Sequence, residues 1–312
     1  MKIFVTGVGG QLGHDVMNEL NKRGYEGIGS DLAPEYSGIK DGSAVTNMPY
    51  LSMDITDKHA VEEILTEQNP DVVVHCAAWT AVDMAEDDDK VEKVRLVNAA
   101  GTENIALACK KLNCKMIYLS TDYVFNGLGE EPWQPDCKDY QPLNVYGQTK
   151  LEGELAVANH VDKYFIVRIA WVFGVNGKNF IKTMLNLGKT HDRITVVNDQ
   201  IGTPTYTFDL ARLLVDMLET EKYGYYHATN EGGYISWYDF TVEIFRQAAE
   251  LGHPEYGPDH VNVVPVTTAE YGASKAKRPF NSRLDKSKLT ENGFTPLPTW
   301  QDALNRYLKE VL

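Results

Sequence analysis

Tyr146 and Lys150 stand four residues apart in PLNVYGQTKLEGE (142–154), just behind Asn144, a residue type that caps helices. On a helix that spacing puts a phenol and an ammonium on one face, a turn apart. A free phenol titrates near ~10 and is a poor acid–base group at neutral pH. A neighbouring ammonium favours the phenolate and lowers that pKa. A phenol tuned in this way can give a proton to a carbonyl oxygen as a hydride reaches the carbonyl carbon. The same ammonium can hold ribose hydroxyls. The reaction also needs a hydroxyl to hold the carbonyl, and LSTDYVF supplies Ser120, Thr121 and Tyr123, with Asp122 among them, at the end of a strand-like run. The rival reading of Tyr146 is a structural residue on a helix face.

A hydride needs a carrier, and TGVGGQLG near the N-terminus is built to hold one. Gly7, Gly10 and Gly13 follow a β-rich run, KIFVTG, and open a helical one, QLGHDVMNELNKRG. One glycine turns the chain, one admits a pyrophosphate to the backbone, and one lets helix and strand pack closely. The anion then meets the free N–H groups of the helix N-terminus. Asp31 closes the second strand, YEGIGSD, 18 positions after Gly13. An acid there accepts hydrogen bonds from a ribose and repels a 2′-phosphate, which favours NADH over NADPH; Lys40 can soften that preference. As a rival, Asp31 is a turn residue ahead of Pro34. Asp54, in MDIT, is placed to meet the adenine edge, and a helix cap there falls better to Thr56 or Asp57.

These residues must be positioned by alternating elements. VVVHCAA (72–78), KMIYLST (115–121) and YFIVRIAWVFG (164–174) read as buried strands, separated by helical stretches such as VRLVNAAGTENIALACKKLN. Strand–helix alternation implies βαβ units in a Rossmann-like, doubly wound parallel sheet, so the fold class is α/β. Past residue 175 the pattern becomes less regular and richer in Pro, Gly and aromatic residues. The expected division is a dinucleotide-binding domain over 1–174 and a smaller, mainly substrate-binding α/β region over 175–312. Some segments of the second region are expected to return to the first.

TGxxGxxG, CAAWTAVDMAE, STDYVFNG and YxxxK together resemble the extended short-chain dehydrogenase/reductase family. AAWTAVDMAE (77–86), NDQIGTPT (198–205) and RPFNSRLD (278–285) narrow the resemblance to its dTDP-4-dehydrorhamnose reductases, essentially end to end. The resemblance implies reduction of the 4-keto group of a dTDP-linked 4-keto-6-deoxyhexose, dTDP-4-dehydro-L-rhamnose, by NADH or NADPH. It implies a catalytic triad of Thr121, Tyr146 and Lys150, with Tyr146 as proton donor. Ala77, Ala78 and Thr80 match the family's cofactor-contacting strand end; Gln11 and Leu12 in the glycine loop and Ile55 beside Asp54 complete the implied cofactor set. The implied substrate set is Thr121, Asp122, Trp171, Gln200, Thr203 and Arg283. Trp171 would wall the sugar's apolar side, its rival role being core packing, and Arg283 suits a diphosphate or an inter-domain ion pair. Some members dimerise through magnesium held by carboxylates. Asp15 and Asp192 fall near two of those positions but the third is Thr299, so no metal is expected.

Two other readings compete. The regulatory β subunit of methionine adenosyltransferase looks similar and acts by binding a catalytic partner. Epimerases and dehydratases of other nucleotide sugars also share the pattern, though Tyr123 stands where a dehydratase wants a glutamate. Bulk properties exclude more. A net charge of −14 in 312 residues leaves no basic surplus for nucleic acid. Four cysteines without a CxxC pair point to reduced thiols, and no stretch reaches the length of a membrane span, so a cytoplasmic monomer or homodimer is expected. The acidic run EDDDK (86–90) is expected to be a solvated helix start, and His75 a satisfied core residue.

Overall fold

In the computed structural model, which describes residues 1–272 and 274–312, the apolar run KIFVT forms β1 (Lys2–Thr6), buried over its last four residues. The glycine loop leads into α1 (Gln11–Lys22), and the alternation continues through β2 (Glu26–Asp31), β3 (Tyr50–Ser52), α2 (Lys58–Gln68) and β4 (Val72–His75). One helical run then joins α3 (Val91–Arg95), a π segment (Leu96–Gly101) and α4 (Thr102–Leu112). β5 (Lys115–Thr121), α5 (Val145–His160) and β6 (Tyr164–Ile169) follow. The remainder comprises β7 (Val172–Phe173), α6 (Phe180–Gly188), β8 (Arg193–Val197), β9 (Ile201–Gly202), β10 (Thr205–Tyr206), α7 (Thr207–Leu218) and β11 (Gly224–His227). After these come β12 (Ile235–Ser236), α8 (Trp237–Glu250), β13 (Asn262–Val266), α9 (Thr268–Tyr271), α10 (Ser287–Glu291) and α11 (Trp300–Val311).

Among the described residues seven strands form the main sheet in the order β3-β2-β1-β4-β5-β6-β11, all parallel. The valine-rich strands are buried on both faces, as a sheet covered by helices on each side requires. Val5, Val74, Ile117 and Val167 pack with Val16 and Leu20 of α1 and Leu210 and Leu214 of α7. Their neighbours Phe4, Val73, Met116 and Ile166 face the other way, onto Leu65 of α2, Ile105 of α4 and Val157 of α5. A separate core of Phe173, Leu185, Phe240, Ile244, Trp300 and Leu304 serves the smaller C-terminal α/β region. This is the expected architecture. Strand order reverses between β1 and β4, and ligands of such sheets bind at the strands' carboxyl ends near that point.

Two segments depart from the sequence expectation. The run 164–174 is not one strand: Trp171 adopts φ 51°, a left-handed conformation that strands cannot hold. The chain therefore leaves the sheet after Ile169, and Val172–Phe173 pairs with Thr205–Tyr206 instead. The long helix is interrupted by its π turn, where Asn98 is buried. From the second half, β11 extends the main sheet beside β6, and α7 packs against α1. Among the described residues no helix is long and apolar enough to cross a membrane.

Candidate active site

A cavity of about 670 Å³ opens at the carboxyl ends of β1, β2, β4, β5 and β6. The glycine loop forms one wall. Gly7 holds φ 73°, and a Cβ there would stand 2.6 Å from the Ala77 backbone nitrogen. A Cβ on Gly13 would stand 2.3 Å from the Gly7 carbonyl oxygen. Helix α1 and the end of β4 thus close on the loop so tightly that only hydrogen fits. Gly10, Gln11 and Leu12 share this wall. Asp31 lines the cavity with its carboxylate fixed by two backbone donors, Gly9 N to Oδ2 at 2.9 Å and Leu32 N to Oδ1 at 2.8 Å.

Asp54 and Ile55 line the cavity beyond β3. Asp54 Oδ1 accepts from the Thr56 N–H, while Asp57, not Asp54, caps α2 through the amides of His59 and Ala60. Ala77, Ala78 and Thr80 contribute the end of β4. The Ala77 N–H donates to Thr6 Oγ1, and the Trp79 N–H to Asn98 Oδ1 at 2.8 Å. Asn98 Nδ2 also donates to Thr149 Oγ1, which ties this strand end to α5. His75 is saturated beneath, between Thr6 and Thr102 hydroxyls.

Helix α5 starts as its sequence dictates, with Asn144 Oδ1 accepting from Gly147 N at 2.7 Å. Glu86 is not merely a solvated acid, because its Oε1 accepts the orphan Val145 N–H at 2.7 Å. Tyr146 and Lys150 both line the cavity, with Thr121 from the end of β5. The expected tuning of one by the other is corrected by the geometry. Lys150 Nζ donates to the Leu119 carbonyl at 2.7 Å and lies 4.2 Å from the Tyr118 ring centroid. Burial pulls its pKa down to about 7, against an opposing pull from Glu154. Enclosure pushes the Tyr146 phenol well above its usual range, with Thr121 acting the other way. Desolvation, not the ammonium, dominates the phenol here.

Polar atoms without partners gather around the same space. Ser30 Oγ, Ser120 Oγ and Asp122 Oδ2 are buried, unbonded and on residues lining the cavity. Buried polar atoms are rarely left so. Burial raises the Asp122 carboxyl to about 6, against the opposing pulls of the Ser282 hydroxyl and of Thr121, whose Oγ1 donates to Oδ1 at 3.0 Å. The glycine cradle and these three atoms fit a dinucleotide with a polar second ligand.

The far end is aromatic. Trp171 lines it with Phe180, Trp237 and Phe240, and Arg278 stands at the edge, bonded to Asp83 Oδ2 at 2.6 Å and to the Tyr123 hydroxyl at 3.2 Å. Three expected substrate residues do not line the cavity. Gln200 Nε2 donates to Thr268 Oγ1 at 3.0 Å, Thr203 Oγ1 to the Gly233 carbonyl at 3.0 Å, and Arg283 to Asn281 Oδ1 at 3.1 Å. They are occupied in holding the C-terminal loops together. Their motifs reach the site through other members: Arg278 opens RPFNSRLD, and Gly202 in NDQIGTPT backs Trp171. Trp237 and Phe180 carry no local signal, since an aromatic at a helix start reads as core. Asp15, near a magnesium position of the family, is buried and accepts from the Thr207 hydroxyl. Among the described residues no group of three His, Cys, Asp or Glu residues is arranged to hold a metal.

The family model described as the RmlD substrate binding domain matches residues 1–312. The chain is 35% identical over 309 residues to the spore coat polysaccharide biosynthesis protein SpsK of Bacillus subtilis, covering 99% of this chain and 97% of that protein. The crystal structure of a dTDP-4-dehydrorhamnose reductase from Clostridium acetobutylicum is similar at a TM-score of 0.86 and 39% identity, over 100% of this chain and 99% of the other. The dTDP-4-dehydrorhamnose reductase of Bacillus anthracis, solved in complex with NADP, gives 0.85 and 36%, over 99% and 100%.

Proposed function

Because the chain belongs to the RmlD substrate binding domain family, we propose that it reduces the 4-keto group of dTDP-4-dehydro-L-rhamnose, with Tyr146 as proton donor. The observation that carries this reading is the convergence of Thr121, Tyr146 and Lys150 with the glycine loop on one cavity. A nicotinamide dinucleotide, NADH or NADPH, supplies the hydride when bound. Gly7, Gly10 and Gly13 would hold its diphosphate, Asp31 its adenosine ribose, and Asp54 and Ile55 its adenine side. Asp31 favours NADH by its charge. The complex of the Bacillus anthracis relative holds NADP, so both cofactors belong in the assay.

Enclosure keeps Tyr146 protonated but makes it a weak acid, so donation needs the negative charge that develops on the ketone oxygen and the Lys150 ammonium brought to the phenol's side. Thr121 would orient that oxygen, and Lys150 would turn from the Leu119 carbonyl toward ribose hydroxyls. Trp171 walls the hexose. Arg278, in place of the expected Arg283, would meet the sugar's diphosphate, because Arg278 lines the cavity and Arg283 does not. In this division of labour residues 1–174 hold the cofactor and 175–312 mainly the sugar nucleotide.

The test is nicotinamide absorbance on mixing the protein with NADH or NADPH and the keto-sugar nucleotide, repeated with Tyr146→Phe. The variant should bind cofactor like the parent and lose roughly 10²–10⁴-fold in turnover, the usual worth of a positioned acid. Near-normal turnover in that variant refutes the role of Tyr146. Oxidation of neither cofactor by the parent refutes the reductase reading.

A further inference from the structure

Of the three non-glycine residues at positive φ among the described residues, Asn69 and Asn113 end helices α2 and α4, where asparagine is comfortable. Trp171, at 51°, is the outlier. A bulky residue persists there only where its surroundings over-determine it, and such strain collects at functional sites. Here the surroundings are explicit. Thr205, wholly buried, donates its N–H to the Trp171 carbonyl at 3.1 Å and its hydroxyl to the Ala170 carbonyl at 2.6 Å. That pins both peptides of the turn.

The indole is held as firmly as the backbone. It stacks on Trp237, ring centroids 3.7 Å apart and planes within 15°. Gly202 lies against the ring, where a Cβ would approach Trp171 Cε2 to 3.0 Å. Trp237 is itself fixed as the first residue of α8. Ser236 before it caps the helix in a reciprocal pair with Asp239, and β12 pairs with β9, which carries Gly202. Both indoles line the cavity.

We propose that Trp237, with Gly202 and Thr205, forms a positioning unit that sets the plane of Trp171 as the platform for the hexose of the nucleotide sugar. The inference rests on the reductase reading above. Trp237 acts through Trp171: it stops the indole rotating into the cavity, so the ring face presented to the sugar is prepaid in order. Loss of this backing should weaken sugar binding without touching the nicotinamide half of the site.

The experiment compares Trp237→Leu, Trp237→Phe and Gly202→Ala by steady-state kinetics with the keto-sugar nucleotide, by direct NADH titration, and by circular dichroism. The parent's stacked indoles should give an exciton couplet that Trp237→Leu abolishes. Trp237→Leu should raise KM for the sugar nucleotide roughly two- to tenfold, the range that aromatic-pair couplings correspond to, by more than it lowers kcat, with Kd for NADH unmoved. Trp237→Phe, which keeps a ring on Trp171, should restore most of that loss. Gly202→Ala should raise KM with Trp237 intact, because the new methyl, wedged 3.0 Å from both Ser282 Cβ and Trp171 Cε2, crowds the ring. An unchanged KM in Trp237→Leu overturns the proposal, as does equal loss in the leucine and phenylalanine variants. Should Trp237→Leu fail to fold, Gly202→Ala decides, and an unchanged KM there is equally fatal. Failure of the parent to reduce the keto-sugar is a separate result, seen before any variant is made, and it strikes the reductase reading itself.

Discussion

Replacing Lys150 with methionine should flatten the pH dependence of stability between pH 7 and 9. Lys150 is 3% exposed, and burial lowers its pKa from 10.5 to about 7. In the unfolded chain the amine recovers its ordinary range. Between those values the unfolded state therefore holds a proton that the folded state has released, and stability rises with pH. This is the reverse of a salt-bridged lysine, whose stabilising effect is lost as pH rises. At about 1.4 kcal/mol per pH unit, the gap between 10.5 and about 7 corresponds to a destabilisation on the order of 4–5 kcal/mol, fully present below pH 7. Because the folded amine is already half deprotonated at pH 7, about 2 kcal/mol of this should be recovered by pH 9. Methionine has a similar length and nothing to titrate. It also forfeits the bond to the Leu119 carbonyl, which affects the two proteins' difference at every pH but not its slope. Urea unfolding of both proteins at pH 7, 8 and 9, extrapolated linearly to water, gives the comparison. The parent should gain about 2 kcal/mol on the variant across that interval. Parallel profiles would show that the buried amine does not titrate as its surroundings require, and the account of Lys150 would fail. The variant should also have lost turnover.

Other consequences follow from buried and cavity-lining charges. Arg168 and Glu154, both fully buried, share two bonds of 2.8 Å, so Arg168→Met should cost about 3–5 kcal/mol by stranding the carboxylate. The double variant Arg168→Met/Glu154→Leu should regain a substantial part of that loss in urea unfolding, and no recovery would mean that packing, not charge, is what the arginine supplies. Arg278→Ala should raise KM for the sugar nucleotide by tenfold or more, since charge-assisted bonds are worth about 1.5–3 kcal/mol, while NADH titration stays unchanged. An unaltered KM would return the diphosphate to some other group.

The strand-end wall of the cavity was legible in the chain because its determinants are local. Gly7, Gly10 and Gly13 are tied to one strand–helix turn, Asp31 to the end of the next strand, and Tyr146 and Lys150 to one face of a helix whose cap, Asn144, stands at its head. Period and spacing carry such arrangements directly. The electrostatics were not legible in that way. Spacing puts Lys150 near Tyr146, but only packing turns its amine to Leu119 and desolvates both groups.

The aromatic end of the cavity depended on contacts between distant segments. The resemblance pointed to Gln200, Thr203 and Arg283, which bond within the C-terminal loops, while loop pairing brings Arg278 and Trp237 to the cavity. Likewise, 164–174 has the composition of one continuous strand, since composition cannot register a single residue at positive φ. The turn at Trp171 exists because Thr205, Gly202 and Trp237, at least 31 residues further along, hold it there. Local periodicity thus determined the sheet and its glycine loop, while the shape of the cavity's aromatic end was decided where side chains remote in the chain compete for the same space.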